Sequence, residues 1–391
     1  MSEDGNGIGS SESRQTAFHA IMSKTAAGFM EEAGWWWVTG FGDPAAEYRA
    51  VREGVGVWDV SPLNKWEFRG QDSIEAAQRV HSNDVLGMQT GQVRYGAFLD
   101  EEGLLVDDGT VFKHADDHLW VCTNGLEHEA YFAEASKGLD VTVEYIAPDL
   151  PHLQVQGPRS REALQPLTEV DLGSLRYFHF IPEEIQVGGV PVWLSRTGFS
   201  GELGYELFTR PQHAEDLWTV IEGTGAVPYG VDVVEPLRIE AGMIVTDYDY
   251  EPHQRTPFDL GLDRVVALDA EGAFMGKDAL RAVAASPPNR FKTLRLEDEE
   301  LPEYGAAVSK DGEEIGVLAL EDLGVVANAD PLEEEAVVKA GNRTSPFGTF
   351  EGIEPYEFVP GVRLRAIGGE QVLLCHVTYE PGTTVARHSH P

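Results

Sequence analysis

"GQVRYGAFLDEEGLLVDDGTVFK", residues Gly91–Lys113, decides how this chain is read. "QVRYGAFL" (Gln92–Leu99) and "LLVDDGTVF" (Leu104–Phe112) are rich in β-formers, and the "DEEG" between them is short and turn-like. A third run, "HLWVCT" (His118–Thr123), follows the equally short "KHADD". Three such runs predict an antiparallel meander, in which Asp107 and Asp108 project from opposite faces. An unpaired buried carboxylate is costly, so the pair needs an explanation. Either these are turn and surface residues, or one faces a pocket. A carboxylate there can hold or exchange a proton on a nitrogen-rich ligand, or stabilise positive charge developing on it.

Outward from the meander, helical and strand patterns alternate. "PAAEYRAVREG" (Pro44–Gly54) reads as a helix with proline near its start and glycine at its stop. "KWEFRGQDSIEAAQRV" and "HLQVQGPRSREALQPL" each run strand, glycine turn, helix, a faint internal echo that predicts two similar α+β units in one body. Helices over about His213–Glu222 and Val231–Gly242 close that body. After Ala285, "SPPNR" marks a linker, and "AAVSKDGEEIGVLAL" predicts a hairpin turning at Asp-Gly. The expected divisions are a flexible N-terminus over 1–18, the α+β body over 19–285, a shortened β domain over 286–345, and a linker with an incomplete β segment over 346–391.

The 391 residues, 42% of them hydrophobic, suffice for two or three cores. A net charge of -37, from 29 basic and 66 acidic residues, favours a hydrated surface and argues against nucleic acid or anionic membranes as partners. Cys122 and Cys375 each lie in apolar runs, which fits buried thiols better than a disulfide framework or a Cys-rich zinc site. The polar "MSEDGNGIGSSESRQTAF" has no secretory pattern, and no apolar stretch approaches the length of a membrane span; a soluble cytoplasmic protein is expected.

Further polar insertions mark candidate chemistry. In "SRTGFSGELGYELF" (Ser195–Phe208), Gly198, Gly201 and Gly204 permit close turns, and Glu206 follows them in an apolar strand. That glutamate either pairs with an arginine or clamps an amidine-like N–H edge with its two oxygens. Arg238 in "VEPLRIEAGM" either pairs internally with Glu206 or Asp107, or holds a ligand carboxylate. Asn124 either caps a helix or presents its amide to a heterocycle. Trp35, Trp36, Trp37 and Tyr95 either cover a flat ligand or fill a core.

Taken in order, "EYRAVREGVGVWDVS", "SNDV", the Gly91–Lys113 stretch, "TNGLEHE", "RTGFSGELGYEL", "LRIEAGM" and "FMGKDAL" resemble the tetrahydrofolate-binding aminomethyltransferases: the glycine cleavage T-protein, folate-dependent demethylases and related oxidase domains. The resemblance covers roughly residues 20–285. It implies a cloverleaf-like α+β fold around a central opening for tetrahydrofolate. It also implies that Asp107 is the catalytic aspartate beside folate N5 and that Glu206 grips the pterin edge. Tyr95, Asn124 and Arg238 resemble further folate-contact positions.

Two stretches depart from the T-protein pattern: "DVSPLNKW" stands where "DVSHMG" is common, and "RTPFDLGLDRVVALD" differs from the usual "TPVEAGLGWAV". Both raise the expectation of a methyl donor. The leading expectation is therefore methyl transfer from a small methylated donor to tetrahydrofolate. The alternatives are aminomethyl transfer from a lipoyl carrier protein and a folate-binding regulator without turnover. The tail "PGTTVARHSHP" resembles the start of a cupin metal motif through Gly382, His388 and His390, and stops short of the further ligands such a site needs.

Overall fold

In the computed structural model, residues 13–124 and 128–285 are described in full, and beyond them the backbones of seven strands. The described chain is anchored early. Arg14 bridges to Trp35, and Phe18 is fully buried, so order begins inside the segment 1–18 expected to be flexible.

A hairpin of β1 (Gly28–Glu32) and β2 (Trp35–Gly40) comes first. It is followed by β3 (Gly56–Asp59), β4 (Asn64–Arg69), β5 (Val93–Leu99), β6 (Leu105–Ala115), β7 (His118–Thr123) and β8 (Thr142–Tyr145). Then come β9 (His152–Gln156), β10 (Ile185–Val187), β11 (Val190–Ser195), β12 (Gly204–Phe208) and β13 (Val227–Pro228). They form a five-stranded sheet, β5-β6-β7-β4-β8, and a six-stranded sheet, β10-β11-β12-β9-β3-β13. The expected meander is β5-β6-β7, antiparallel throughout, with Asp107 opposite Phe98 and Asp108 opposite Ala97.

The internal echo has a common backbone cause. Gly70 after β4 and Gly157 after β9 both have positive φ, 137° and 129°. A Cβ there would meet the Asp140 carbonyl at 2.3 Å or the Gly54 carbonyl at 2.5 Å. In each unit glycine therefore lets the strand turn into its helix, Ser73–Val80 or Ser160–Leu164, against a neighbouring backbone.

One face of the five-stranded sheet packs Phe98, Val111 and Val121 against the helices Ser73–Val80 and His128–Ala135, through residues such as Ala76 and Phe132. The other face turns Phe112 and Trp120 toward Phe208 of β12, with Phe112 and Phe208 meeting edge to face at 5.5 Å. The segment 244–284 caps the end of this sheet through Tyr250, Phe258 and Leu280 packed on Ala97, Leu99 and Leu105. Of the tryptophan run, Trp35 is buried and the partly buried Trp37 packs on the core, stacking on Trp58 at 6.0 Å. Cys122 is a buried free thiol, pushed up to about 12 by burial.

The meander tolerates no side chain at Gly109, where a Cβ would stand 2.0 Å from the Cys122 carbonyl oxygen. Gly109→Ala must part β6 from β7 and is expected to cost about 2 kcal/mol or more, at the upper end for overpacking. Urea denaturation measures this; a midpoint unchanged from wild type would contradict the packing.

Beyond the body, a four-stranded sheet is formed by Asn289–Thr293, Ala307–Lys310, Glu313–Leu318 and Gly324–Asn328. The expected hairpin is there, Ala307–Lys310 against Glu313–Leu318. Gly324–Asn328 adds a strand not recognised in the sequence, paired with Glu313–Leu318 on one side and Asn289–Thr293 on the other. The tail carries a three-stranded meander, Tyr356–Val359, Val362–Gly368 and Leu373–Tyr379, within the stretch expected to hold a linker and an incomplete β segment. His388 and His390 lie outside the described residues.

Candidate functional site

Asp107 is 0% exposed and lies on the helix-packed face of β6. Its Oδ1 accepts from the Asp108 backbone N–H at 2.8 Å, Asn124 Nδ2 at 3.0 Å and Thr246 Oγ1 at 2.7 Å. Its Oδ2 accepts from the Asn124 backbone N–H at 2.9 Å and stands 2.7 Å from His128 Nε2. Five donors fill the acceptor capacity of one carboxylate and fix it in place. Asn124 spends its amide on Asp107 and on the Asp108 carbonyl, the latter at 3.0 Å.

Asp108, 4% exposed, points to the opposite face. Tyr95 Oη donates to its Oδ2 at 2.9 Å and Tyr250 Oη to its Oδ1 at 2.6 Å. Thr246 Oγ1 lies 3.4 Å from the same Oδ1 and so bridges the two carboxylates. Burial, followed by repulsion from Asp107, pushes the Asp108 carboxyl up to about 7 against the opposing bonds of the two tyrosines. The same setting raises both phenols above their ordinary range, burial first and Asp108 second. A raised folded-state value makes the native state bind the proton more tightly than the unfolded chain. The stability this contributes is present below the unfolded value near 4 and is lost as pH rises through 7. Asp108→Asn should flatten this fall, so its stability relative to wild type rises between pH 4 and pH 7. Denaturant titrations across that window check the sign; a difference independent of pH would contradict it.

Glu206, on β12, projects from the same face as Phe208, toward the Asp108 side of the five-stranded sheet. Gln154 Nε2 donates to its Oε1 at 2.7 Å, and Thr197 Oγ1 donates to its Oε2. His152 Nε2 stands 3.8 Å from Oε1, too far for a hydrogen bond. Burial would raise the Glu206 carboxyl, but the hydrogen bonds from Thr197 and Gln154 oppose it and hold the group below the usual range, with His152 adding to this only when its ring is protonated. His152 is itself driven down to about 4 by burial, so it is neutral at pH 7. Beside Glu206, the buried Gln154 Oε1 has no partner among the described residues.

Lys65 links the two sheets electrostatically. It is fully buried on β4, opposite Cys122, and its Nζ donates to the Ser61 and Leu63 carbonyls, each at 2.9 Å. Burial lowers it to about 8, opposed by Cys122, Asp59 and Glu206.

Tyr95, Asp107 and Asn124 thus come together around the acidic pair, and Glu206 faces the Asp108 side from the other sheet. Arg238 differs from its expected pairing with Glu206 or Asp107. Fully buried, it donates from Nε to Glu235 at 2.9 Å, from Nη2 to Glu235 at 2.6 Å and from Nη1 to Asp249 at 2.7 Å. Glu235 is one helical turn away and Asp249 is in the following loop, so nearby acids claim the guanidinium. The sequence reading did not single out His128, Thr246, Tyr250 or Gln154. Gln154 had a signal: His152, Gln154 and Gln156 alternate with apolar residues in a strand that is buried throughout. Among the described residues, no group of three or more His, Cys, Asp or Glu is placed to hold a metal ion, and no helix is long and apolar enough to cross a membrane.

Comparison with known proteins follows the same lines. A family model described as the GCVT N-terminal domain matches residues 18–270. Similar curated proteins include an aminomethyltransferase of Anoxybacillus flavithermus, 32% identical over 310 residues that cover 78% of this chain and 85% of that one. A probable aminomethyltransferase of Haloarcula marismortui is 32% identical over 315 residues, covering 78% and 85%. Among solved structures, glycine cleavage system aminomethyltransferase T from Bartonella henselae superposes with a TM-score of 0.72 at 19% identity, over 93% of this chain and 96% of that one, a likeness of fold. Its extent takes in most of the strands after residue 286, so those strands do not require a separate cupin fold.

Proposed function

The chain belongs to the family of the GCVT N-terminal domain, and from that premise we propose that it is a one-carbon transferase of the glycine-cleavage aminomethyltransferase type that produces methylene-tetrahydrofolate. The balanced reaction is R–S–CH2–NH2 + tetrahydrofolate giving R–SH + methylene-tetrahydrofolate + NH3, with R–S the lipoyl arm of a carrier protein. The family comparisons favour this form over the methyl-donor form expected first from the sequence.

The residues present fit a reduced pterin. Its ring edge presents N–H donors, and Glu206 with the unpaired oxygen of Gln154 offers adjacent buried acceptors to it. That juxtaposition carries the proposal. Tetrahydrofolate supplies the nucleophilic nitrogen that takes the one-carbon unit. Asp107, held by its five donors on the face of β6 opposite Glu206, is a fixed negative charge that acts across the strand, without touching the ring, to favour positive charge developing at that nitrogen. Asp108, with a value near neutrality, holds or gives up a proton, and Tyr95 and Tyr250 orient it. Asn124 acts on the pair by holding Asp107. Arg238 acts by holding Asp249, whose charge is felt by Tyr95 and Asp108.

The methyl-donor form rests on the departures from the T-protein pattern alone. The departure "DVSPLNKW" buries Lys65 between the sheets, a cation in electrostatic reach of Glu206. The deciding experiment incubates the chain with tetrahydrofolate and either an aminomethyl-loaded lipoyl carrier protein or a panel of methylated amines, thioethers and aryl methyl ethers, with mass detection of the folate product. Methylene-tetrahydrofolate from the carrier is expected. 5-Methyltetrahydrofolate from the panel alone would restore the methyl-donor form, and no folate product from either would reject transfer.

A further inference from the structure

Thr246 and Tyr250 sit in the loop after the helix Val231–Glu240, and that loop sets their hydroxyls side by side. Asp249 accepts from the Val245 N–H and from Arg238 Nη1, each at 2.7 Å, and the Asp247 N–H donates to the Tyr250 carbonyl at 2.8 Å. These bonds close a tight turn in which Asp247 takes a φ of 68°, a conformation aspartate tolerates better than most residues. The result is an unbroken row of four oxygens: Asp107 Oδ1, Thr246 Oγ1, Tyr250 Oη and Asp108 Oδ1, separated by 2.7, 2.8 and 2.6 Å. The row joins the carboxylates on the two faces of β6.

Three gaps of this length each call for a hydrogen, and the two hydroxyls bring only two. With both carboxylates ionised, whichever way the hydroxyls turn, two oxygens face each other with no hydrogen between them. A third hydrogen removes the conflict, and the other partners decide where it sits. Asp107 meets N–H groups of Asp108 and Asn124, which donate and cannot accept, and His128 stands on its second oxygen. Among the described residues the Asp108 carboxyl meets only hydroxyls, those of Tyr95, Tyr250 and, at 3.4 Å, Thr246, and a hydroxyl accepts as well as donates. Burial and the charge of Asp107, which push the Asp108 carboxyl up to about 7, act in the same sense. Tyr131, Asp247 and Asp249 lie in electrostatic reach of the pair, and neither they nor His128 and Tyr95 make a side-chain bond to the two relay hydroxyls among the described residues.

We infer that Thr246 is a positioning residue: through Tyr250 it fixes a single proton of the acidic pair on Asp108 and keeps Asp107 ionised. Resting on the folate-transfer reading, this makes Asp108 the group that protonates the departing amine. Its O–H breaks as an N–H of ammonia forms, Tyr250 turns its hydrogen to the bared carboxylate, and a proton lost from a folate nitrogen restores Asp108. Neutron diffraction from crystals of the full-length chain in D2O, below pH 7, reads the order of hydrogens directly. Deuterium is expected on Asp108 Oδ1 toward Tyr250, on Tyr250 toward Thr246 and on Thr246 toward Asp107. Deuterium on Asp107 instead, or on neither carboxylate, would overturn the inference. In solution, the pH profile of one-carbon transfer separates ordering of the proton from mere support of the loop. Thr246→Val leaves one gap, between Tyr250 and Asp108, and the tyrosine hydrogen to fill it, so Asp108 releases its proton more easily. The alkaline fall in rate is then expected about one pH unit lower, a tenfold loss of proton affinity, and Thr246→Ser should return it to the wild-type position. A lower rate with an unmoved profile would mean that Thr246 only supports the loop, and would overturn its assigned role. If the valine variant does not fold, the neutron map of the wild type decides. A wild type that transfers nothing to folate sinks the transfer reading and leaves the order of hydrogens to that map.

Discussion

Asp107→Asn is expected to reduce one-carbon transfer to tetrahydrofolate about 10²-fold or more while weakening folate binding less than about tenfold. The asymmetry follows from what the carboxylate does in the structure. It meets donors of the chain itself, from Asn124, His128, Thr246 and the Asp108 backbone, so its contribution to ligand affinity is small. In the proposed reaction its contribution is a fixed charge that matters only when positive charge develops. Asparagine keeps one acceptor oxygen and turns an N–H2 group toward groups that are themselves donors. Each donor left unmet costs about 1–3 kcal/mol, so the variant also melts earlier and must be assayed well below its transition. Turnover within threefold of wild type in a folded Asp107→Asn protein would remove this residue from the reaction.

Glu206→Gln should do the reverse: folate affinity falls about 10²-fold, close to 3 kcal/mol, with a smaller change in the rate of bound substrate. The Glu206 carboxyl is held below the usual carboxylate range, so it is ionised at neutral pH and accepts with both oxygens. Glutamine halves that capacity and directs an N–H2 toward Gln154 Nε2 or the Thr197 hydroxyl, both already donating. Calorimetric titration with tetrahydrofolate reads the loss; an affinity equal to wild type would mean that the ring edge is held elsewhere.

The parts of this protein legible in its sequence are those fixed by local chemistry. Alternation and two short turns define β5-β6-β7, and the strand-glycine-helix echo survives because Gly70 and Gly157 meet the same backbone constraint. That Asp107 and Asp108 face opposite ways also follows from strand geometry. What could not be read is which side each face packs on. The five-stranded sheet turns Asp107 toward its helices and Asp108 toward β12, and this depends on Phe98 and Phe112 finding their partners across the fold. Thr246 and Tyr250 reach the acidic pair from 138 to 142 residues away, and no spacing rule marks them. The internal partners of Arg238 could not be read, because charge complementarity alone admits any acid, whereas helical geometry and a tight following loop bring Glu235 and Asp249 first. We propose the boundary near residue 285 as the end of the folate-binding body, since the linker pattern of "SPPNR" begins there and the last packed helix ends at Val283.

The most direct test is a crystal structure of the chain with bound 5-methyltetrahydrofolate. The account predicts the pteridine between β6 and β12, with its N–H edge about 3 Å from the Glu206 carboxylate and its N5 turned to the side of the Asp107–Asp108 pair. A ring bound with Glu206 and the acidic pair both out of reach would contradict it.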